Sequence, residues 1–545
     1  MSSVALFFTA PPLPNKDTNG SSTARHCPQE QNLAQLIDKS KSSGDLRQIH
    51  AFLHRHNLHD HPILNFKLQR SYSSLGYLHH SLALFNKTQN PSIYLYTSII
   101  HAHAVLNLHY HAFFLYVQML NQNIAPNAFT FSSILKSCPL RSAILIHAQA
   151  VKLGFDSQLY VRTCLIDVYA RGGDVGSARK LFDTMPEKSL VSLTAMITCY
   201  AKYGMVQEAR LLFNGLEERD VVCWNVMIDG YSQHGFPNES LGLFRQMLKS
   251  KLRPCAVTVV AVLSACGQIG ALESGRWVHS YILNNGIEIN VLVGTALIDM
   301  YCKCGSLEDA RLVFEGINNK DVVAWNSMIV GHAMQGFSQD ALQLFYDMCR
   351  IGYQPTDITF IGVLSACVHG GMVEEGRRHF CSMKDKYGIE PKVEHYGCMI
   401  NLLCRSCHLE EAYELAKNMQ IEQDPVIWGT LLGGCRVHGD ISLGEEIADF
   451  LLSRNLANSG TFILLSNMYA AAGNWERAAR VRSLMKDSGV EREHGCSSIE
   501  VNDEVHEFLA GDVRHPKTKE IFMILEICAC HKGRGYTPET DAVFT

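Results

Sequence analysis

The sequence contains no run of about 18 consecutive apolar residues, the minimum for a bilayer span, so no membrane contact is expected. It also carries little net charge: 48 Lys and Arg stand against 53 Asp and Glu, a balance of −5. That excludes a basic field over the whole protein, and any polyanion would have to be held by a local track. Cysteine is too sparse for a disulfide scaffold, with 19 in 545 residues. Many cysteines fall inside apolar helical patterns, as Cys266 and Cys367 do, and read as reduced, buried thiols. No phosphate loop and no nucleophile triad is recognisable. Residues 1–30 lack the apolar core of a secretory signal. They are rich in Ser, Thr and Pro and balance Lys16 and Arg25 against Asp17 and Glu30. That composition suits a plastid transit peptide better than the Arg-rich helix of a mitochondrial one, so a chloroplast location is expected, with the mitochondrion as the alternative.

What the chain has in abundance is internal repetition. Val221-Val222-Cys223-Trp224-Asn225-Val226-Met227-Ile228 returns as Val322-Val323-Ala324-Trp325-Asn326-Ser327-Met328-Ile329. Val262-Leu263-Ser264-Ala265-Cys266 returns at the same offset as Val363-Leu364-Ser365-Ala366-Cys367. The compound unit divides into copies at 221–255, 256–290 and 291–321, then 322–356, 357–392 and 393–424. Earlier copies occupy 93–127, a shortened 128–158, 159–189 and 190–220. Residues 31–92 read as two degenerate copies.

Each copy reads as a helical hairpin. In 291–321, Val293, Ala296, Leu297, Met300 and Tyr301 follow the spacing of one buried helix face. Gly305 can take the left-handed conformation that ends the first helix. Ser306 with Asp309 resembles a capping box for the second, whose apolar stripe is Leu307, Ala310 and Phe314. Pro126, Pro254 and Pro355 stand one residue before their copies end and are expected to close the second helix and fix the turn into the next copy. Neither helix can bury its face alone, so neighbouring hairpins must stack.

The Val-Val-x-Trp-Asn-x-Met-Ile pattern, the run Leu297 to Arg311 and the 35/35/31 alternation resemble plant pentatricopeptide repeat (PPR) proteins of the PLS class. The resemblance implies an all-α, right-handed superhelical solenoid of stacked helix-turn-helix repeats. Residues 93–424 correspond to the P, L and S repeats. Residues 425–459 and 460–494 resemble the two E motifs. Residues 495–545, with Gly495-Cys496-Ser497-Ser498-Ile499-Glu500 and Val505-His506-Glu507-Phe508, resemble the extended E region, ending before the catalytic part of a DYW-type deaminase.

In this family the fifth and last residues of a repeat contact one base edge of single-stranded RNA, flanked by an apolar second residue. The resemblance therefore implies the pairs Thr97/Asn127, Thr163/Ser189, Thr194/Asp220, Asn225/Cys255, Thr295/Asp321 and Asn326/Thr356, with Val191, Val222, Leu292 and Val323 beside the bases. By the family's code Thr/Asp favours guanine, Thr/Asn adenine, and a fifth-place Asn a pyrimidine. Cys255 departs from the usual last residues and should discriminate poorly. Val260 and Ile361, fifth in their L copies, should read little. With the copy 393–424 four nucleotides before an edited cytidine, Asn326/Thr356 falls at six, Thr295/Asp321 at seven, Asn225/Cys255 at nine, Thr194/Asp220 at ten and Thr97/Asn127 at thirteen.

Catalysis is present only in appearance. A zinc deaminase needs His-x-Glu followed by a separate Pro-Cys-x-x-Cys. Here the single His-x-Glu, His408 to Glu410, directly follows the single Cys-x-x-Cys, Cys404/Cys407, in an inter-helix turn. Cys404 to His408 also spells a haem-attachment pattern, which the turn explains more simply. Cys528, Cys530 and His531 lie on an expected amphipathic helix with Ile521, Ile524 and Leu525, where packing is the expected role. No metal or other cofactor is expected. The resemblance implies an adaptor, not an enzyme, that selects C-to-U editing sites in organellar mRNA and recruits a deaminase-bearing PPR protein and multiple organellar RNA editing factors. The competing expectations are a transcript-protecting or processing factor and a truncated relative of a DYW-type deaminase.

Overall fold

The computed structural model describes residues 28–533, apart from 41, 57, 59–60, 420–423, 455–457, 488–495, 502–503 and 510–515. The expected transit peptide lies outside the described residues save for its last three positions, as does the end of the chain from 534. From Pro28 to Asp487 the described residues form 28 helices in 14 consecutive pairs. First helices begin at Ile93, Ala128, Leu159, Leu190, Val221, Ala256, Val291, Val322, Asp357 and Val393, the opening residue of each copy defined above. Most span 13 or 14 residues, whereas Ala128–Leu135 has 8. The shortening of 128–158 thus falls in its first helix, which ends at Leu135, ahead of Pro139.

The chain divides into two compact units, residues up to 230 and residues from 231 onward. Within each, successive first helices pack on one another, and each second helix packs on its partner and on the next first helix. Val293, Leu297, Met300 and Tyr301 are buried as expected, but Ala296 is only half-buried and Ile298 is fully covered. A first helix is flanked by two other first helices and its own partner, so its buried face is broader than a single stripe.

Small residues set the approach of neighbouring first helices. A Cβ on Gly331 would lie 2.2 Å from the Sγ and 2.5 Å from the Cβ of Cys302. Gly230 seats on Ala201 and Gly434 on Cys404 in the same way. Side chains near the ends of first helices take carbonyls that the preceding first helix leaves without an intrahelical partner. Arg171 Nη2 donates to the Leu135 carbonyl at 2.9 Å, and Gln335 Nε2 to that of Cys302 at 2.9 Å. His438 Nε2 lies 2.6 Å from the Cys404 carbonyl oxygen.

Two local expectations are corrected. Pro126, Pro254 and Pro355 do not close second helices, which end earlier at Asn121, Lys249 and Ile351. Left-handed residues make those stops: Asn123 at φ 57°, Lys251 at φ 62° and Gly352 at φ 101°. The prolines are buried just before the residue that caps the next helix, fixing the entering chain. Gly305 is left-handed at φ 80°, yet Ser306 forms no cap. Its hydroxyl donates instead to Asp309 Oδ2 at 2.8 Å, and Arg276 of the preceding copy donates to the same oxygen at 3.0 Å. Burial opposes the Asp309 charge, but these two donors hold its carboxyl below the usual range. Arg377 and Glu411 repeat this cross-link one compound unit later.

Past the helical pairs, Cys496–Val501 and Glu504–Leu509 form an antiparallel hairpin that the sequence reading did not assign. Helix Thr518–Gly533 follows, but Ile524 and Leu525 are exposed rather than packed. The side chains of Cys528, Cys530 and His531 lie outside the described residues.

Gly331→Leu should force the two first helices apart and destabilise the protein by about 1–3 kcal/mol in urea unfolding, the usual range for overpacking. Gly242→Ala, on a helix with open space around it, should be neutral or stabilising by up to about 1 kcal/mol.

Candidate nucleic-acid interface

The last residue of a copy is the N-cap of the next first helix. Asn127 Oδ1 accepts from Thr130 N at 2.9 Å, Ser189 Oγ from Ser192 N at 3.2 Å, and Asp220 Oδ1 from Cys223 N at 2.8 Å. Asp321 Oδ1 accepts from Ala324 N at 2.9 Å, and Thr356 Oγ1 from Thr359 N at 3.4 Å. Ser, Thr, Asp and Asn are favoured there because their oxygens satisfy N–H groups the helix leaves open. The same residue types can address a base edge. Capping uses one carboxylate oxygen of Asp321, and the other makes no hydrogen bond or ion pair among the described residues. Cys255 is exposed, with its Sγ 3.6 Å from Thr258 Oγ1.

Fifth residues stand one turn into each first helix. Asn326 Nδ2 donates to Thr356 Oγ1 at 3.1 Å, so that expected pair is in direct contact. Thr97 reaches Asn127 through Thr130: Thr97 and Thr130 hydroxyls share a bond at 2.8 Å, and Thr130 donates to Asn127 at 3.1 Å. Thr194 Oγ1 lies 2.9 Å from Cys223 Sγ, beside the Asp220 cap. Thr163, Thr194 and Thr295 each donate to a carbonyl of their own helix, that of Leu159 at 2.8 Å, Leu190 at 2.8 Å and Val291 at 2.7 Å. Asn225 is half-buried.

The bridging residue, third in the following copy, was missed by sequence reasoning. Its signal was available: Thr130, Thr258 and Thr359 share one phase of the repeat. Thr359 is fully buried; it donates to Asn326 Oδ1 at 2.6 Å and accepts from Thr356 N at 2.8 Å.

Second residues form a periodic apolar set. Val191, Leu292 and Val323 are exposed, and Val222 is half-buried. The structure adds Tyr94, Phe129, Tyr160, Val257 and Ile358, also exposed. Core packing does not account for large apolar side chains left in water at one phase of the repeat. Basic residues recur at the thirteenth place of the four S copies, as Arg171, Lys202, Lys303 and Arg405. Arg171 pairs with Asp167 at 3.0 Å and Lys303 with Asp299 at 2.8 Å, which damps their local charge.

At the Cys-x-x-Cys turn, Cys404 is buried inside its helix, and burial pushes its thiol up to about 12. Cys407 occupies the left-handed turn position at φ 65°, which glycine fills at 305. Among the described residues no group of three or more His, Cys, Asp or Glu is placed to hold a metal ion.

Models of the PPR repeat family match residues 219–268 and 320–369, and PPR repeat models match 160–190, 191–221, 295–322, 358–387 and 394–422. A pentatricopeptide repeat domain model matches 86–140, and an E motif model matches 438–500. The chain is 56% identical over 550 residues to an Arabidopsis thaliana protein named pentatricopeptide repeat-containing protein ELI1, chloroplastic, covering 100% of this chain and 87% of the relative. A second Arabidopsis thaliana relative, named as a putative chloroplastic pentatricopeptide repeat-containing protein, is 43% identical over 93% of this chain and 95% of its own length. The crystal structure of the maize pentatricopeptide repeat protein PPR10 shares the fold, with TM-score 0.50 and 18% identity over 84% of this chain and 73% of that one.

Thr359→Val removes the hydroxyl that joins Asn326 to the Thr356 cap. It should cost about 1–3 kcal/mol in urea unfolding by leaving buried polar groups unpaired. Thr359→Ser keeps the hydroxyl and should lose less. Equal losses for the two variants would show that the hydroxyl bridge contributes little.

Proposed function

This chain belongs to the pentatricopeptide repeat family, and on that premise we propose that it binds single-stranded organellar mRNA and specifies sites of C-to-U editing. The observation that carries this reading is the recurrence of three side chains at one phase: an exposed apolar second residue, a polar fifth residue and a polar capping residue. An unpaired base needs this combination, an apolar surface for its face and hydrogen-bonding groups for its edge. The thirteenth-place cations Arg171, Lys202, Lys303 and Arg405 supply short-range attraction for phosphates on a chain of net charge −5.

The E motif region and the hairpin after it recruit the deaminase in trans, and the chain itself acts as an adaptor. The partners are a deaminase-bearing PPR protein and multiple organellar RNA editing factors. The compartment is the chloroplast, in line with the names of the two Arabidopsis relatives.

In this reading Thr295/Asp321 and Thr194/Asp220 each take guanine. The capped Asp presents a carboxylate oxygen to guanine N–H groups, and only intact copies separate the two repeats. Bound RNA should therefore carry guanines three nucleotides apart, at seven and ten before the edited cytidine. In a binding series varied at both positions, loss of either guanine should weaken affinity by about 1–3 kcal/mol, the range of a base-edge contact. Thr295→Asn should move the preference at the first position from guanine toward uracil. Affinity indifferent to both guanines would overturn the assigned pairs or their register.

A further inference from the structure

One stretch of the array differs from the rest in having no formal charge. From Thr88 to Leu135 the sequence contains no Asp, Glu, Lys or Arg. Helix His109–Asn121 lies within it and is the one second helix in the described array with no such residue. The others display charges to water, as Glu374, Glu375, Arg377 and Arg378 do on Val373–Asp385. A solvated helix face without charge is unusual unless something covers it.

The exposed stripe of this helix is Tyr110, Phe114 and Val117, at 79%, 68% and 37% exposure. The next second helix, Leu140–Lys152, adds exposed Ile144, Leu145 and Val151. Large apolar side chains left in water on two successive second helices mark an interaction surface rather than a solvated face.

We propose that this face is a self-association surface, covered by the same face of a second copy of the chain. The stripe spacing favours that occupant. Tyr110, Phe114 and Val117 follow i, i+4, i+7, so the outer two flank Phe114 almost symmetrically. Two such helices packed antiparallel about a two-fold axis at Phe114 set each Phe114 against its mate. Each Tyr110 then lies over the smaller Val117 of the other copy. Large against small is what interdigitation requires, and an isologous contact closes on itself as a dimer. The absence of Asp, Glu, Lys and Arg from helix His109–Asn121 removes like-charge repulsion between its two copies along the axis. None of these side chains belongs to the first-helix set that holds Tyr94, Thr97 and Asn127, and the association needs no RNA.

Sedimentation velocity of the full chain without RNA, over a concentration series reaching the micromolar range, tests this. The wild-type chain should reach twice the single-chain mass. Phe114→Glu and Phe114→Lys should each weaken association at least tenfold, because a like charge meets itself at the axis. An equimolar mixture of the two variants should recover the dimer. Leu211→Glu, at a 73% exposed position on another second helix, should leave the dimer intact. Matching far-ultraviolet spectra and melting curves would show that the variants stay folded. Wild-type chain at single mass throughout, or a dimer that Phe114→Glu leaves unchanged, overturns the proposal. A variant mixture that stays monomeric overturns the placement of the axis.

Discussion

The close seat of one first helix on the next, Gly331 against Cys302 and Gly434 against Cys404, governs what the rest of the structure can present. Close-packed interiors tolerate little change in such a contact. It fixes the step from copy to copy, and with it the interval between one second, fifth and last residue and the next set. The carbonyls taken by Arg171, Gln335 and His438 hold the same junctions from the helix ends. Because these contacts join near neighbours, the array is built copy by copy within each unit.

Folding and the proposed reading share atoms at the N-caps. Asp321 both starts the helix Val322–Met334 and stands in the pair assigned to guanine. The cap fixes one carboxylate oxygen at the helix end, so the side chain has little freedom left to lose when a base arrives. Thr130 and Thr359 extend this by tying the cap to the fifth residue of the copy before it. A substitution at a last residue therefore acts on stability as well as on recognition.

Much of this was legible in the sequence because the repeat multiplies every weak signal. Periodic burial of Val293, Leu297, Met300 and Tyr301 and the left-handed Gly305 follow from local pattern. What was not legible depends on neighbours. Ser306 has the spacing of a capping box, but Arg276 from the preceding copy draws the Asp309 carboxylate away and the serine hydroxyl follows it. Pro126, Pro254 and Pro355 mark the approach to the next helix, because left-handed residues had already ended the previous one. The bridging role of Thr359 required knowing that successive first helices touch. The hairpin at Cys496–Val501 and Glu504–Leu509 lies where the helical period stops, so the repeat offered no guide to it.

The central claim is that the array selects sites of cytidine conversion in organelle transcripts. Sequencing of organelle transcripts from plants lacking the protein, compared with wild type, tests it most directly. The account predicts loss of conversion at one or a few cytidines that share guanines seven and ten nucleotides upstream, with other sites unaffected. Unchanged conversion at every organellar site, accompanied by altered transcript ends or abundance, would contradict it.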